Sequence, residues 1–386
     1  MPDCAVCCKN WDIDIDDETY QKLVDVKWEQ FSDRFENRKI FIDRDGRKKF
    51  ELIDSRCIFL DDDNYCLIHK KLGFDAKSTI CKMYPFKFVK TPEGIIVRLS
   101  FVCPSVIKDT GVQLENQISE IEKLATLQPD WIRKIDETVV VDSDIKISYN
   151  DYKKIENVIF ELLRARHDYE TSLKAPAKFL RALSESLKKK ESLNDILQKT
   201  DKEIFFRKKE NVSKEKQKLY LALFVGYEFV GRAKENLLKK YANLLKLVFR
   251  TGSLKLNNEK FKLSEIAETY FDIDNENIQN TIKRFIEHLL FSKWHLLSSA
   301  VSTPNLVSGY SLLLVVYALV KWWSRAFALI RKSAVVELCD VEKAITFVEL
   351  NYTGHITKET LFLNSRTFAT ICNLLISQPN FEEIII

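Results

Sequence analysis

Cys4-Ala5-Val6-Cys7-Cys8 opens the chain with three sulfurs in five residues, and four more follow at Cys57, Cys66, Cys81 and Cys103. Seven of the nine cysteines therefore fall within the first 103 of 386 residues, and only Cys339 and Cys372 lie beyond. Cysteines kept only for packing would not crowd in this way. Disulfides explain crowding in small secreted domains, but Met1-Pro2-Asp3-Cys4 lacks a basic segment followed by an apolar one. A cytoplasmic location is expected, and in a reducing compartment the pattern reads as metal binding or thiol chemistry.

Two cysteines separated by two residues, as at Cys4 and Cys7, can turn both sulfurs toward one ion at metal–sulfur distances of roughly 2.3 Å. The other four are scattered, so folding must gather them. Their settings are alike: Cys57-Ile58-Phe59-Leu60, Tyr65-Cys66-Leu67-Ile68, Ile80-Cys81-Lys82-Met83-Tyr84-Pro85 and Phe101-Val102-Cys103-Pro104. Each sulfur has apolar neighbours, where a thiolate is costly unless a cation compensates it. Buried neutral thiols are the plain alternative. That account suits Cys339 and Cys372, which sit in helical apolar patterns, and suits the clustered seven poorly. Seven thiols exceed the four that one tetrahedral zinc or one cubane cluster needs, so some would serve other roles. Zinc and iron both accept four sulfurs, so both remain open. His69 is a further ligand candidate, although its neighbours Lys70 and Lys71 fit an exposed histidine as well.

Composition fits one cysteine-rich module followed by helices. Nine glycines and eight prolines are few for an all-β chain with many tight turns. The expected fold is an α+β cysteine-rich metal-binding module over residues 1–105, followed by a mainly α-helical bundle over 106–386. In the module, Asp16 or Asp17 would cap a helix over Thr19 to Phe31. Ile40 to Leu52 reads as a hairpin about Asp45-Gly46, and Ile95 to Phe101 as a strand. Residues 105–150 read as a connector with a helix over Gln113 to Leu127. Tyr152, Ile155, Ile159, Leu162 and Leu163 recur at helical spacing, as do Phe179, Leu180, Leu183 and Leu187 after Pro176. Lys188 to Lys218 reads as a charged interruption with an exposed loop. Helices are then expected over Leu219 to Arg250, Leu263 to Phe271, Ile278 to Ser298, Gly309 to Lys332 and Val341 to Val348.

The cysteine-bearing stretches also carry a resemblance. Cys4-x2-Cys7-Cys8, with Trp11, Ile13, Ile15, Asp16 and Tyr20, resembles the start of the flagellin lysine N-methylase family and the related YkgJ-like cysteine-cluster domains. Cys57-x-Phe59-Leu60, Cys66-x2-His69, Leu72-Gly73, Cys81-x2-Tyr84-Pro85 and Leu99-Ser100-x2-Cys103-Pro104 extend the match in order and spacing to residue 104. Beyond it there are only echoes at Tyr270 to Leu290 and Asn351 to His355. The resemblance implies a zinc- or iron-chelating domain. For the methylases it implies a [4Fe–4S] cluster, S-adenosylmethionine and a protein substrate such as flagellin. One departure stands out: such domains open with Cys-x2-Cys-x2-Cys-Cys, which puts the first cysteine at Met1. Either a cysteine lies upstream of Met1 or this branch has lost a ligand.

Other function classes lack their signatures. There is no Gly-x-Gly turn of a Rossmann-type methyltransferase, no Cys-x3-Cys-x2-Cys, no phosphate loop, no His-Glu-x2-His and no Gly-x-Ser-x-Gly. A net charge of +4 does not mark a nucleic-acid binder. The basic runs Lys188 to Lys190, Arg207 to Lys209 and Lys214 to Lys218 fit solvated faces, or a surface for acidic partners. The apolar run Leu312 to Val320, closed by Lys321, is shorter than the roughly 20 residues a bilayer needs, and reads as a buried core helix. Trp322 and Trp323 on the same helix should point to different sides, leaving one partly exposed. The remaining alternatives to a methylase are a non-enzymatic structural or metal-handling protein, and a thiol redox sensor built on Cys7, Cys8 and Cys103.

Overall fold

The computed structural model describes the chain except residues 1–4, 10, 12, 45, 128, 130–131, 208–212, 232–236, 257–258, 298–304 and 354–372. The fold is α+β, with small sheets in the N-terminal region and mostly helices after it. Helix α1 (Asp17–Val24) begins where the Asp16 carboxylate accepts the Thr19 amide at 2.8 Å. It stops at Val24, short of the expected Phe31, because the Trp28 indole folds back and donates to the Leu23 carbonyl at 3.1 Å. The hairpin β1 (Phe41–Arg44) and β2 (Arg47–Phe50) is antiparallel, pairing Phe41 with Phe50. Gly46 takes φ +71° in its turn, a backbone region that favours glycine; Asp45 lies outside the described residues. Residues 13–15 run along β2, with Ile15 N on Lys48 O at 2.9 Å and Phe50 N on Ile13 O at 3.3 Å.

Two short strands, β3 (Leu52–Ile53) and β4 (Arg56–Cys57), follow, then helices α2 (Leu67–Leu72) and α3 (Thr79–Met83). Strands β5 (Phe86–Thr91) and β6 (Gly94–Leu99) lie side by side in a three-stranded sheet with β7 (Arg133–Lys134). Helices α4 (Pro104–Ile107) and α5 (Ile118–Leu127) fall between β6 and β7. Contacts divide the chain into two units: residues 1–88 with 97–133, and residues 89–96 with 134–386. The core of the first unit is aromatic. Phe59 sits 4.7 Å from the Trp28 ring and 5.0 Å from Phe50, and Phe35 completes the group; all four side chains are buried. Rings that meet edge to face gain energy beyond the area they bury.

The second unit opens with a hairpin where the sequence suggested only a connector. Strands β8 (Thr138–Asp142) and β9 (Ile145–Ser148) pair antiparallel and bury Val139 and Val141. Alternation over so short a run is easily masked by its third valine, Val140. Helix α6 (Tyr149–Arg164) buries Tyr152, Ile155, Ile159, Leu162 and Leu163 on one face, as their spacing predicts. Helix α7 (Tyr169–Lys188) starts ahead of Pro176, where Asp168 accepts the Glu170 and Thr171 amides, and runs on through that proline. The charged interruption holds α8 (Leu193–Lys199). Helices α9 (Lys214–Gly231) and α10 (Leu237–Phe249) divide the span read as one helix. Leu263 to Phe271 is not a helix. It follows the hairpin β10 (Ser253–Leu256) and β11 (Glu259–Lys262) with a single 3-10 turn at Ser264–Ile266. Tyr270 is held extended, its N–H on Ala334 O at 2.8 Å and its carbonyl accepting from Val336 N at 2.9 Å.

Helices α11 (Glu276–Phe291), α12 (Trp294–Leu297), α13 (Leu306–Ile330) and α14 (Leu338–Val348) form the centre of this unit, and a last short helix spans Phe381–Ile385. Helix α13 is long and apolar enough to cross a membrane by length and composition, with 72% of its apolar window buried inside the unit. It packs against α7, α11, α12 and α14. Trp322 and Trp323 are both buried, correcting the expectation of one exposed face. Trp322 stacks edge-on with Phe261 of β11 and Trp323 lies 4.2 Å from Phe347 of α14, so neighbours cover the helix on both sides. Gly309 permits the closest approach, since a methyl there would lie 1.9 Å from the His295 carbonyl oxygen.

Within this core lies a polar cluster whose Tyr152, Glu156, Lys293 and His295 side chains are buried. Glu156 accepts from the Tyr152 hydroxyl at 2.6 Å and from Lys153 at 2.8 Å, and pairs with the buried Lys293. The Tyr152 hydroxyl also lies 3.3 Å from His295 Nε2. Burial pushes His295 down to about 3, with the Lys293 charge adding to it, so the imidazole is neutral at ordinary pH. Removing one member of a buried ion pair strands the other charge, which costs about 3–5 kcal/mol, whereas replacing both by apolar groups is often neutral. Glu156→Ala should therefore lower unfolding free energy by about that amount. Glu156→Leu with Lys293→Met should recover most of it in denaturant titrations; equal loss in the single and double variants would contradict this.

Candidate metal centre

Separate backbone devices bring distant cysteines of the first unit to one place. Cys7 and Cys8 end a 3-10 turn, Val6–Cys8, entered from Ala5 at φ +41°. The next residue, Lys9, bridges Arg56 on β4, which places this turn beside Cys57. From Cys57 the chain loops out and returns: Leu60 bridges Cys66, Leu67 N donates to Phe59 O at 2.7 Å, and the Asp61 carboxylate accepts the Tyr65 amide at 2.7 Å. Cys66 thus stands at the start of α2. Cys81 lies on α3, whose first turn is capped by Ser78 Oγ accepting the Cys81 amide at 3.4 Å. Asp16 ties α3 to α1, because its second carboxylate oxygen accepts the Thr79 amide at 3.1 Å.

The result is a cavity lined by Cys7, Cys8, Cys57, Cys66 and Cys81, together with Trp11, Ile13, Phe50, Phe59, Ile68, Ile80, Tyr84, Ser78 and Lys77. Its walls are the outer side of the aromatic core, since Phe50 and Phe59 belong to both. Trp11 and Tyr84 meet edge to face across 5.5 Å. Cys7 Sγ and Cys8 Sγ are 3.9 Å apart. None of the seven described cysteines forms a disulfide. Among the described residues no three His, Cys, Asp or Glu side chains converge as a ready metal-ligand group; the sulfurs stand around the cavity wall.

The other sequence candidates fall elsewhere. Cys4 and Cys372 lie outside the described residues. Cys103 is partly buried ahead of α4, its N–H on Ser100 O at 3.1 Å, and is not among the cavity-lining residues. His69 is exposed on α2 with its ring edge-on to Phe74, away from the cavity wall. Cys339 is exposed at the start of α14, not buried as its apolar neighbours suggested, because the first helical turn presents it outward. Two lining residues escaped the sequence reading. Ser78 and Lys77 precede Cys81 by three and four residues, a spacing of one helical turn that a search for ligand types alone passes over.

The sulfurs are electrically unlike one another. The hydrogen bond from Cys8 brings the Cys7 thiol down to about 7; burial opposes this and the Lys77 charge assists it. The same bond, burial and the neighbouring sulfurs push Cys8 well up. Burial pushes Cys57 up, and pushes Cys81 up to about 11 against the Ser78 hydroxyl and Lys77. Several thiols around one apolar pocket, with Cys8, Cys57 and Cys81 resisting ionisation and no disulfide among the described cysteines, match the donor chemistry of zinc or iron. A cation would offset the cost of forming each thiolate.

Comparison with known proteins agrees with this chemistry. Residues 1–104 match the CxxCxxCC family, described as a zinc- or iron-chelating domain. Over 104 residues, 26% of this chain, the sequence is 28% identical to the flagellar biosynthetic protein FliU of Salmonella muenchen and to the lysine-N-methylase of Salmonella typhimurium. The matched stretch covers 62% of the first relative and 26% of the second. No solved structure matches the chain.

Asp16 offers a direct test of how the site is braced. Burial raises its carboxyl, but the amides of Thr19 and Thr79 outweigh this and hold it below the ordinary 3.8. Its stabilisation is therefore complete above pH 3.8 and disappears as pH falls through the lower, folded value. Asp16→Ala should cost about 1–2 kcal/mol near neutrality. The gap from wild type should close in acid; a gap independent of pH would show that the carboxylate is not what holds the two helices.

Proposed function

We propose that the N-terminal cysteines form a metal centre, most consistent with an iron–sulfur cluster, and that the protein is a cytoplasmic protein-lysine N-methylase. The observation that carries the metal reading is the lining of one apolar cavity by Cys7, Cys8, Cys57, Cys66 and Cys81. These five are the core donors; Cys4, which follows the same sequence pattern, lies outside the described residues, and Cys103 follows it without lining the cavity. A cubane cluster or a tetrahedral zinc takes four of them, leaving the rest to support or tune the centre.

The methylase reading draws on the names of the relatives, and the whole-chain activity goes with it. S-adenosylmethionine would supply the methyl group, and a lysine side-chain nitrogen of a protein such as flagellin would receive it. The helical unit would present the substrate. A second reading is a metal protein without catalysis, in which zinc contributes folding free energy directly. The confinement of the match to the first 104 residues favours keeping it.

Protein purified without oxygen should contain stoichiometric iron and show the visible charge-transfer absorbance of an iron–sulfur cluster. Zinc in a colourless protein would favour the second reading. Cys57→Ser and Cys81→Ser should each lose most of the bound metal, while Cys339→Ser should keep it; equal retention in all three would contradict the centre. Metal-loaded protein incubated with S-adenosylmethionine and flagellin should add methyl groups to lysine, read by peptide mass spectrometry. Unmodified lysines throughout, with the centre intact, would overturn the methylase reading alone.

A further inference from the structure

Four thiolates around a divalent zinc or a doubly charged cubane leave two negative charges in excess. Trp11, Phe50, Phe59 and Ile80 make the lining mostly apolar, so the walls offer few dipoles to offset that excess. Lys77 is the only charged side chain among the described residues that line the cavity. It is half-buried, and its position is fixed. Its amide donates to Phe74 O at 3.1 Å, its ammonium lies over the Phe74 ring at 5.5 Å, and the next residue caps the helix that carries Cys81.

We propose that Lys77 is the charge-compensating residue of the metal centre, offsetting the excess negative charge of the thiolates and thereby setting how tightly the metal is held. The assignment rests on the metal-centre reading above. Lys77 is a positioning residue and donates no bond to the metal.

The test uses the full chain, stripped of metal and titrated with zinc against a chromophoric chelator at low salt. Lys77→Met should weaken zinc binding by about tenfold or more, the scale expected for removing a charge that lines a thiolate site. Lys77→Gln should do the same, Lys77→Arg should restore tight binding, and Lys71→Met, which removes an exposed charge on α2, should leave it unchanged. If the centre reconstitutes as an iron–sulfur cluster, its reduction potential should fall in Lys77→Met and recover in Lys77→Arg. Wild-type affinity in both Lys77→Met and Lys77→Gln would overturn the assignment. So would equal weakening in Lys77→Arg, which would point to packing. Failure of the wild-type protein to hold zinc or iron would instead remove the metal centre itself, and this assignment with it.

Discussion

Sulfur desolvation is the constraint on which the N-terminal unit turns. A thiol is easily buried, being small, weakly polar and among the residues most often found inside proteins. A thiolate is not, and several thiolates together repel one another as well. The cavity gathers Cys7, Cys8, Cys57, Cys66 and Cys81 against Phe50, Phe59 and Ile68. As neutral thiols these groups could pack anywhere in the core. What needs explaining is that Cys57, Cys66 and Cys81, which follow Cys7 by 50 to 74 residues, are all bent to present sulfur to the same space as Cys7 and Cys8. On the proposed metal reading, a cation that must be surrounded accounts for that placement, because metal–thiolate bonding would return more free energy than ionising the thiols costs.

The scaffold around the cavity is built to resist collapse. The aromatic group of Trp28, Phe35, Phe50 and Phe59 forms a buried floor, with Phe59 meeting Trp28 and Phe50 edge to face and Phe35 tilted against Trp28. Short backbone pairings do the rest: Lys9 with Arg56, Leu60 with Cys66, and residues 13–15 along β2. Asp16 serves two helix starts with one carboxylate, so the helix bearing Cys81 and the one that follows the N-terminal cysteines share a brace. None of these devices is costly by itself, and together they fix the sulfur-bearing loops without a single disulfide among the described cysteines. The second unit uses a different logic, a long apolar helix wrapped by its neighbours, with buried charge held in pairs such as Glu156 with Lys293 and Asp340 with Arg331.

Much of this was legible in the sequence, and the failures have identifiable causes. Long helices announced themselves by apolar period, as in α6, α11 and α13, because one face of each is buried over several turns. Hairpins with strands of four or five residues did not: β8–β9 and β10–β11 are too short for alternation to stand out from noise, and Leu263 to Phe271 holds only a single 3-10 turn before Tyr270 is drawn into a bridge. In the site, ligand types could be picked out by residue identity. Their grouping could not, because it is set by bridges between distant segments. Cys103 shares the apolar setting of the others yet does not line the cavity, and Lys77 lines it without belonging to any ligand class. Exposure was equally invisible: Cys339 has apolar neighbours in sequence but faces outward from the first turn of α14.

Zinc and iron make the same demand on the fold and differ in what they allow. Zinc is a redox-silent point of cross-linking, whereas an iron–sulfur cluster brings electrons and colour. X-ray absorption at the metal edge of the anaerobically purified protein reads the shell directly. The account predicts a shell dominated by sulfur at about 2.3 Å, at one centre per chain. A shell of nitrogen and oxygen only, or protein that folds and retains no stoichiometric metal, would contradict it.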